Sequence, residues 1–175
     1  MLEDMNMLLG QLFGLVSLVL CVLAFASKRD ERLMGLLLLA NVAFALQFGF
    51  FGSWTAAVLS LVVILRIALA RRYPGNRWVM ATVLAISVAA ALLTWQGLAD
   101  LPALIAMVIG TTGMFLLTGI AMRVCLVLAA FGWMLSHLLV GSVGGTIAEA
   151  MIIVTSLVTI HRLRRARHRY PQAFE

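Results

Sequence analysis

Long apolar runs, interrupted by short polar or basic stretches, make up the pattern of this chain. The runs are about 17–20 residues long, so each can cross a hydrocarbon core of roughly 30 Å as an α-helix. A membrane β-barrel would instead show short segments of alternating hydrophobicity. The pattern therefore predicts an all-α, polytopic membrane protein.

The polar interruptions predict seven transmembrane helices. They consist of the segments SKRDER, RRYPGNR, QGLAD and GSVGG, the Gly52-Ser53 turn and the single residue Arg123. Between them lie the predicted spans, over residues 8–26, 33–51, 54–70, 78–95, 101–119, 124–140 and from the Gly141–Gly145 turn to about residue 160.

Basic residues between the spans predict the orientation in the membrane. If the loops are numbered alternately from the outside, every Lys or Arg outside the helices falls on one side: Lys28, Arg29, Arg32, Arg71, Arg72, Arg77, Arg123 and the RLRRARHR tail. The positive-inside rule assigns that side to the cytoplasm. We therefore expect the N-terminus outside and the C-terminus inside.

Composition excludes most other classes of protein. Apolar residues form 63% of the 175 residues and charged residues 11%, and the mean hydropathy is +1.08. Because the charge of +6 lies in short loops and the tail, it indicates membrane topology and no nucleic-acid partner. Cys21 and Cys125 lack metal-ligand spacing and are interpreted as buried free thiols, so no metal or cofactor is expected. The acidic N-terminus MLEDMNM predicts no cleavable signal peptide.

An internal repeat is the next prediction. Helices two and three, and again helices six and seven, form a hairpin with a Gly-Ser turn whose second helix ends in arginines. We expect one membrane domain over 1–175, with three-helix repeats at 8–71 and 101–161, a linker helix at 78–95 and a basic cytoplasmic tail at 162–175. The two repeats would be parallel, a known transporter plan. The alternative is that any two glycine-turned apolar hairpins look alike.

Several segments resemble the YgjV family of bacterial inner-membrane proteins: KRDER, GIAMR, W-x-x-x-H-x-x-x-GSVGGT-x-x-E and the arginine-rich end. This resemblance implies the bacterial inner (cytoplasmic) membrane. The 3+1+3 plan also resembles, in architecture only, the SWEET sugar transporters and the PnuC vitamin transporters. The first helix lacks the Pro-Gln pair of SWEET proteins, and Val63 and Ser156 stand near the expected place of the pocket asparagines. These departures weaken an inference to sugar.

His137 and Glu149 are the most informative polar residues. Each is four residues from a glycine of the Gly141–Gly145 turn, so both are predicted roughly 6 Å below the turn. At a common depth they could share a charge or a proton, which lowers the cost of keeping either in the membrane. The alternative is a structural hydrogen bond that locks the hairpin.

A ligand pocket is predicted where the two repeats face each other. Trp133 lies in the middle of helix six, one turn below His137, whereas Trp54, Trp78 and Trp95 lie at span ends. The alternative for Trp133 is simple packing. The predicted substrate-binding residues are Trp133, His137, Glu149, Asn41, Phe44 and Gln47. Arg66, about one turn from the end of helix three, is interpreted as extending to the lipid headgroups, with a functional role as the alternative.

The expected function is a small-solute transporter or facilitator. Its expected partners are the lipid bilayer and an unknown small solute, and a homo-oligomer is compatible with this function. The alternative is a non-transporting membrane factor that partners another membrane protein. No enzyme is expected, because the neighbouring Ser136 and His137 point about 100° apart on a helix and do not form a dyad.

Overall fold

The computed structural model describes residues 2–26 and 30–169. This part of the chain folds into seven α-helices and one short 3₁₀ turn, Leu98–Asp100. The helices are α1 Leu2–Ala26, α2 Asp30–Phe50, α3 Trp54–Arg72, α4 Arg77–Thr94, α5 Leu101–Leu116, α6 Gly119–Leu139 and α7 Val143–Arg169.

Six of the described helices are long and apolar enough to cross a membrane: α1, α3, α4, α5 with the preceding 3₁₀ turn, α6 and α7. In α2 the apolar stretch of the described residues is shorter, Gly35–Phe50. The prediction of an all-helical membrane protein is therefore confirmed, and six of the predicted spans are found by length and composition.

Six helices form a closed ring. In ring order they are α1, α2, α3, α5, α6 and α7, and α7 returns to pack against α1. The remaining helix, α4, packs outside the ring against α3 and α5. Its outer face carries Trp78 and Leu93, which are 86% and 87% exposed, as expected for side chains that face lipid. The ring leaves space at its centre.

Small residues let the ring helices approach each other closely. Gly144 of α7 lies against the backbone of Gly14 in α1, and a Cβ on Gly144 would overlap it. Gly132 of α6 lies in the same way against Ala106 and the carbonyl of Pro102 in α5. Since lipid supplies no hydrophobic force between helices, such close contact is a main source of their association.

The α2–α3 and α6–α7 hairpins close with the same backbone turn. Gly52 and Gly141, 89 positions apart, have φ angles of +74° and +72°. The following serine donates its backbone N–H to the residue five positions earlier in both turns, Ser53 to Phe48 and Ser142 to His137, each at 2.9 Å. This is the Schellman pattern with a left-handed glycine. The two hairpins therefore share one register at a spacing of 89.

Several helix boundaries differ from the sequence prediction. Helix α1 begins at Leu2, six residues before the predicted span. The break between α5 and α6 falls at residues 117–118, so Arg123 lies inside α6 and not in a gap between spans. Helix α7 begins at Val143, within the predicted Gly141–Gly145 turn, and continues as helix to Arg169 through most of the predicted tail. Lys28 and Arg29, used for the predicted orientation, and residues 170–175 of the predicted tail lie outside the described residues.

Candidate functional site

A cavity of about 440 Å³ lies at the centre of the ring. This is within the usual range of small-ligand pockets, about 300–1,000 Å³. All six ring helices contribute to its wall, and no residue of α4 does. The lining residues are Cys21, Leu37, Leu38, Ala40, Asn41, Phe44, Phe48, Ser60, Val63, Arg66, Ile67, Arg71, Met114, Arg123, Leu126, Ala129, Ala130, Trp133, His137, Glu149, Ile152 and Ser156.

Four rings from α2 and α6 form the wall of the cavity nearest the two glycine turns. We call this group the aromatic cluster: Phe44, Phe48, Trp133 and His137. The imidazole of His137 stacks on Phe48 with ring centroids 4.5 Å apart and planes at 17°. Phe44 meets His137 at 5.0 Å, and Phe48 meets Trp133 at 6.1 Å, both tilted. Such offset or tilted pairs are favourable for aromatic rings.

His137 is 1% exposed and is held on its other sides as well. Gln47 Nε2 lies 2.9 Å from His137 Nδ1 and donates a hydrogen bond to it. Gly145 has no side chain and so leaves room for the imidazole, since a Cβ there would overlap the ring. His137 is therefore a fixed part of the packing between α2, α6 and α7.

The helix ends around the glycine turns are tied together. Gln11 of α1 donates through Nε2 to the carbonyl of Gly141 at 2.6 Å and accepts from Val143 N at 3.2 Å. Together with the contact of Gly14 and Gly144, these bonds hold α1 against the α6–α7 turn. The aromatic cluster and these ties close the cavity at this end, which we call the glycine-turn end.

At the other end the wall contains basic residues. Arg71 of α3 is exposed, and Arg123 of α6 is half-buried, while both line the cavity. We call this the arginine end. Because an exposed residue belongs to the wall here and only buried residues line the glycine-turn end, the cavity is more accessible from the arginine end.

Two buried charged side chains lie deeper in the wall. Arg66 of α3 is 6% exposed and Glu149 of α7 is 7% exposed. Arg66 Nη1 donates to the sulfur of Met107 at 3.6 Å, and its Nε has no hydrogen-bond partner within the described part of the chain. Arg66 and Glu149 interact electrostatically, but no ion pair or hydrogen bond joins these two described side chains. The cavity thus carries opposite charges that do not touch each other.

Five of the six predicted site residues line the cavity: Trp133, His137, Glu149, Asn41 and Phe44. The sixth, Gln47, lies behind the wall and hydrogen bonds to His137. The Asn41 amide donates to the carbonyl of Leu37 at 2.9 Å. The structure therefore brings the predicted residues into one place, and their role in binding a substrate stays a prediction.

The expected direct link between His137 and Glu149 is not formed, since no hydrogen bond or ion pair joins these two described side chains. The prediction that the two side chains lie at the same depth in the membrane is wrong, because α7 begins at Val143. His137 is two residues from the end of α6, and Glu149 is six residues into α7. At 1.5 Å per residue the depths are about 3 Å and about 9 Å. Glu149 therefore lies beyond Gly145, which packs on the imidazole.

Arg66 and Phe48 are the wall residues that sequence reasoning underestimated. Arg66 does not extend to the headgroups, because it is buried among Met107, Gly110 and the cavity. Its position inside a span was the available signal. For Phe48 the signal was its distance from the turn glycine, since it precedes Gly52 by four residues as His137 precedes Gly141.

Much of the wall follows the 89-residue spacing of the two turns. Eight pairs of lining residues, one from α2 or α3 and one from α6 or α7, are separated by this number. The pairs are Leu37–Leu126, Ala40–Ala129, Asn41–Ala130, Phe44–Trp133, Phe48–His137, Ser60–Glu149, Val63–Ile152 and Ile67–Ser156. The same faces of the two hairpins therefore meet at the cavity.

Metal binding has no support in the described part of the chain, where no group of three or more His, Cys, Asp or Glu side chains is placed to hold an ion. Cys21 and Cys125 are both free. Cys21 is buried, as the sequence predicted, and lines the cavity, whereas Cys125 is only half-buried.

A family model described as "Bacterial inner membrane protein", Imp-YgjV, matches residues 8–167. The chain belongs to the YgjV family. The match covers all of the ring helices except the first six residues of α1 and the last two of α7, so the cavity is part of the family region. Family membership and the apolar helices together indicate a multi-pass protein of the bacterial inner membrane.

One curated relative is "Inner membrane protein YgjV" of Escherichia coli (strain K12). It is 21% identical over 161 residues, which cover 92% of this chain and 87% of the relative. No solved structure matches. The architectural resemblance of this YgjV-family chain to SWEET and PnuC transporters therefore stays a prediction.

Proposed function

We propose that this protein is a small-solute transporter or facilitator of the bacterial inner membrane, with its substrate site in the central cavity. The observation that carries the proposal is the pairing of the wall. Eight lining positions of the first hairpin have a partner 89 residues later in the second hairpin. A cavity built by two matching halves suits a site around which the halves can move.

The helix ring supports the same view. If α1, α2 and α3 are exchanged for α5, α6 and α7, the ring order maps onto itself, and α4 remains as the outer linker. This favours two parallel three-helix repeats and seven spans, with α2 crossing the membrane between α1 and α3. A membrane factor that only holds a partner protein would not require a matched internal cavity.

The difference between the two ends of the cavity is a further support. The aromatic cluster and the Gln11 hydrogen bonds close the glycine-turn end, while the wall at the arginine end includes the exposed Arg71. We take this arrangement as one of two states of the transporter. The other state would open the glycine-turn end, since alternating access requires the same site to face both sides in turn. No chemical reaction is assigned to the cavity.

A solute screen on the purified protein tests the proposal. Thermal unfolding is followed with neutral sugars, nucleosides, organic acids and amino acids, because a ligand that binds only the folded state raises its stability. Ala129→Trp and Ala130→Leu fill the cavity, and Leu128→Trp alters an exposed neighbour on the same helix.

We expect a class of solutes to stabilise the parent protein and the Leu128 variant but not the two filled variants. If no solute stabilises the protein, or if the filled variants respond as well as the parent, the cavity is not a substrate site.

A further inference from the structure

The buried charges of the cavity wall point to one chemical class of solute. Arg66 and Glu149 are both more than nine-tenths buried and both line the cavity. Among the residues that the structure describes, no direct ion pair neutralises either of them, and Arg66 Nε has no hydrogen-bond partner. Charged groups buried in a membrane protein normally pair with another group, so this separation leaves both available to a ligand.

An arginine and a carboxylate recognise complementary groups. The planar guanidinium binds a carboxylate through two parallel hydrogen bonds, and an ionised carboxylate accepts hydrogen bonds from an ammonium. Arg66 lies on α3 and Glu149 on α7, so a solute between them would contact both halves of the ring. Phe44 and Trp133 add an apolar wall beside them.

The balance of charge selects among solutes. Arg66 stays protonated at any ordinary pH. A solute with only an anionic group would meet Arg66 favourably and be repelled by Glu149, and a solute with only a cationic group would meet the reverse. A solute that carries both groups satisfies both side chains and leaves the buried site neutral. A site that rejects a solute because one of the site's own charges would be left unmatched gains specificity in this way.

We infer that the cavity binds a zwitterionic, amino-acid-like solute, with its carboxylate at Arg66, its ammonium at Glu149 and its apolar part against Phe44 and Trp133. This inference rests on the proposed function and names its substrate class. The basic residues Arg71 and Arg123 at the arginine end contribute positive potential at the entrance and are not part of the site.

The test compares matched compounds on the purified full-length protein. L-phenylalanine and L-leucine carry both charges. Their counterparts 3-phenylpropionate and 4-methylpentanoate lack the ammonium, and phenethylamine and isopentylamine lack the carboxylate. We expect at least one zwitterion to raise the melting temperature by roughly 5–10 °C at about a hundred times its Kd. Its singly charged counterparts should give less than a third of that shift.

Variants then assign the charges. Arg66→Gln and Glu149→Gln should each abolish stabilisation by the zwitterion. Arg72→Gln, an exposed arginine on the same helix, and Glu3→Gln, an exposed acid, should retain it. The inference is overturned if the singly charged compounds stabilise as well as the zwitterions, or if none of the six compounds stabilises the parent protein. It is also overturned if both charge variants fold and still respond.

The two proposals fail in different ways. In one outcome, a neutral solute stabilises the parent protein but not Ala129→Trp, while no zwitterion has an effect. That result would support the proposed transporter and contradict a zwitterionic substrate. Absence of every solute effect would remove both.

Discussion

Phe48 and His137 stack on each other at the glycine-turn end of the cavity, and each precedes the glycine of its own hairpin turn by four residues. The contacts around them match as well. Phe44 contacts His137, and the residue 89 positions after Phe44, Trp133, contacts Phe48. A pair of matching positions in direct contact is expected at an axis between two similar halves. This contact joins the two halves of the proposed transporter at the cavity wall.

The first prediction concerns what His137 contributes to stability. His137→Phe should keep the stacking but leave the buried Gln47 amide without its partner, a loss of about 1–3 kcal/mol. His137→Ala should cost about 3–5 kcal/mol, because a large ring is removed from a packed interior. Thermal and denaturant unfolding in detergent measure both effects.

The double variant His137→Phe with Gln47→Leu is the control for this hydrogen bond. Replacing both partners by apolar groups should restore most of the stability lost in His137→Phe. A double variant less stable than His137→Phe would contradict the role given to Gln47.

A second prediction tests the contact of α1 and α7. A Cβ on Gly144 would overlap the backbone of Gly14, so Gly144→Ala should lower the free energy of unfolding by about 1–3 kcal/mol. Gly35 of α2 has no atom within 4 Å of an added Cβ. Gly35→Ala should therefore be neutral or stabilise by about 0.5–1 kcal/mol. Equal melting temperatures for these two variants would argue against a tight α1–α7 contact.

The third prediction concerns the coupling of Arg66 and Glu149. Each single change, Arg66→Gln or Glu149→Gln, leaves one buried charge without its opposite and should destabilise the protein. The double variant should be less destabilised than the sum of the singles, with a coupling energy of about 1–3 kcal/mol. Unfolding measurements on the four proteins give this energy. Strict additivity would mean that the two charges do not interact.

The fourth prediction is the orientation in the membrane. A reporter fused after Glu175 should be active in the cytoplasm, and one placed before Glu3 should be active outside it. The reason is the one-sided distribution of basic residues in the sequence. Reporters that place both termini on the same side would contradict seven spans and, with them, the two parallel repeats.

The sequence predicted the helices and the Gly-Ser turns well because both depend on local features. Apolar length determines which segments can span a membrane, and a glycine with positive φ ends α2 and α6. The break at residues 117–118 was missed because Leu117 continues the apolar run. The early start of α7 was missed because Gly144 and Gly145, which suggested a longer turn, serve instead for close helix contacts.

The cavity wall was predicted in part for the same reason. Trp133 and His137 stand out as polar or bulky residues within a span. The inward direction of Arg66 could not be predicted, because it depends on Met107 and Gly110 of α5, about 40 residues later in the chain. Whether a charge near a helix end extends to the headgroups or turns inward is decided by such tertiary neighbours.

Access to the cavity from the two sides of the membrane is the most direct test of a transporter. In a background with Cys21→Ser and Cys125→Ala, a cysteine is placed at Ala129 in the cavity wall or at the exposed position Leu128 as a control. A membrane-impermeant thiol reagent is applied from outside to intact cells and from the cytoplasmic side to inverted vesicles. If the cavity opens to each side in turn, Ala129→Cys should react from both sides, while Leu128→Cys, facing lipid, should react from neither. Reaction of Ala129→Cys from one side only, or from neither, would contradict alternating access through this cavity.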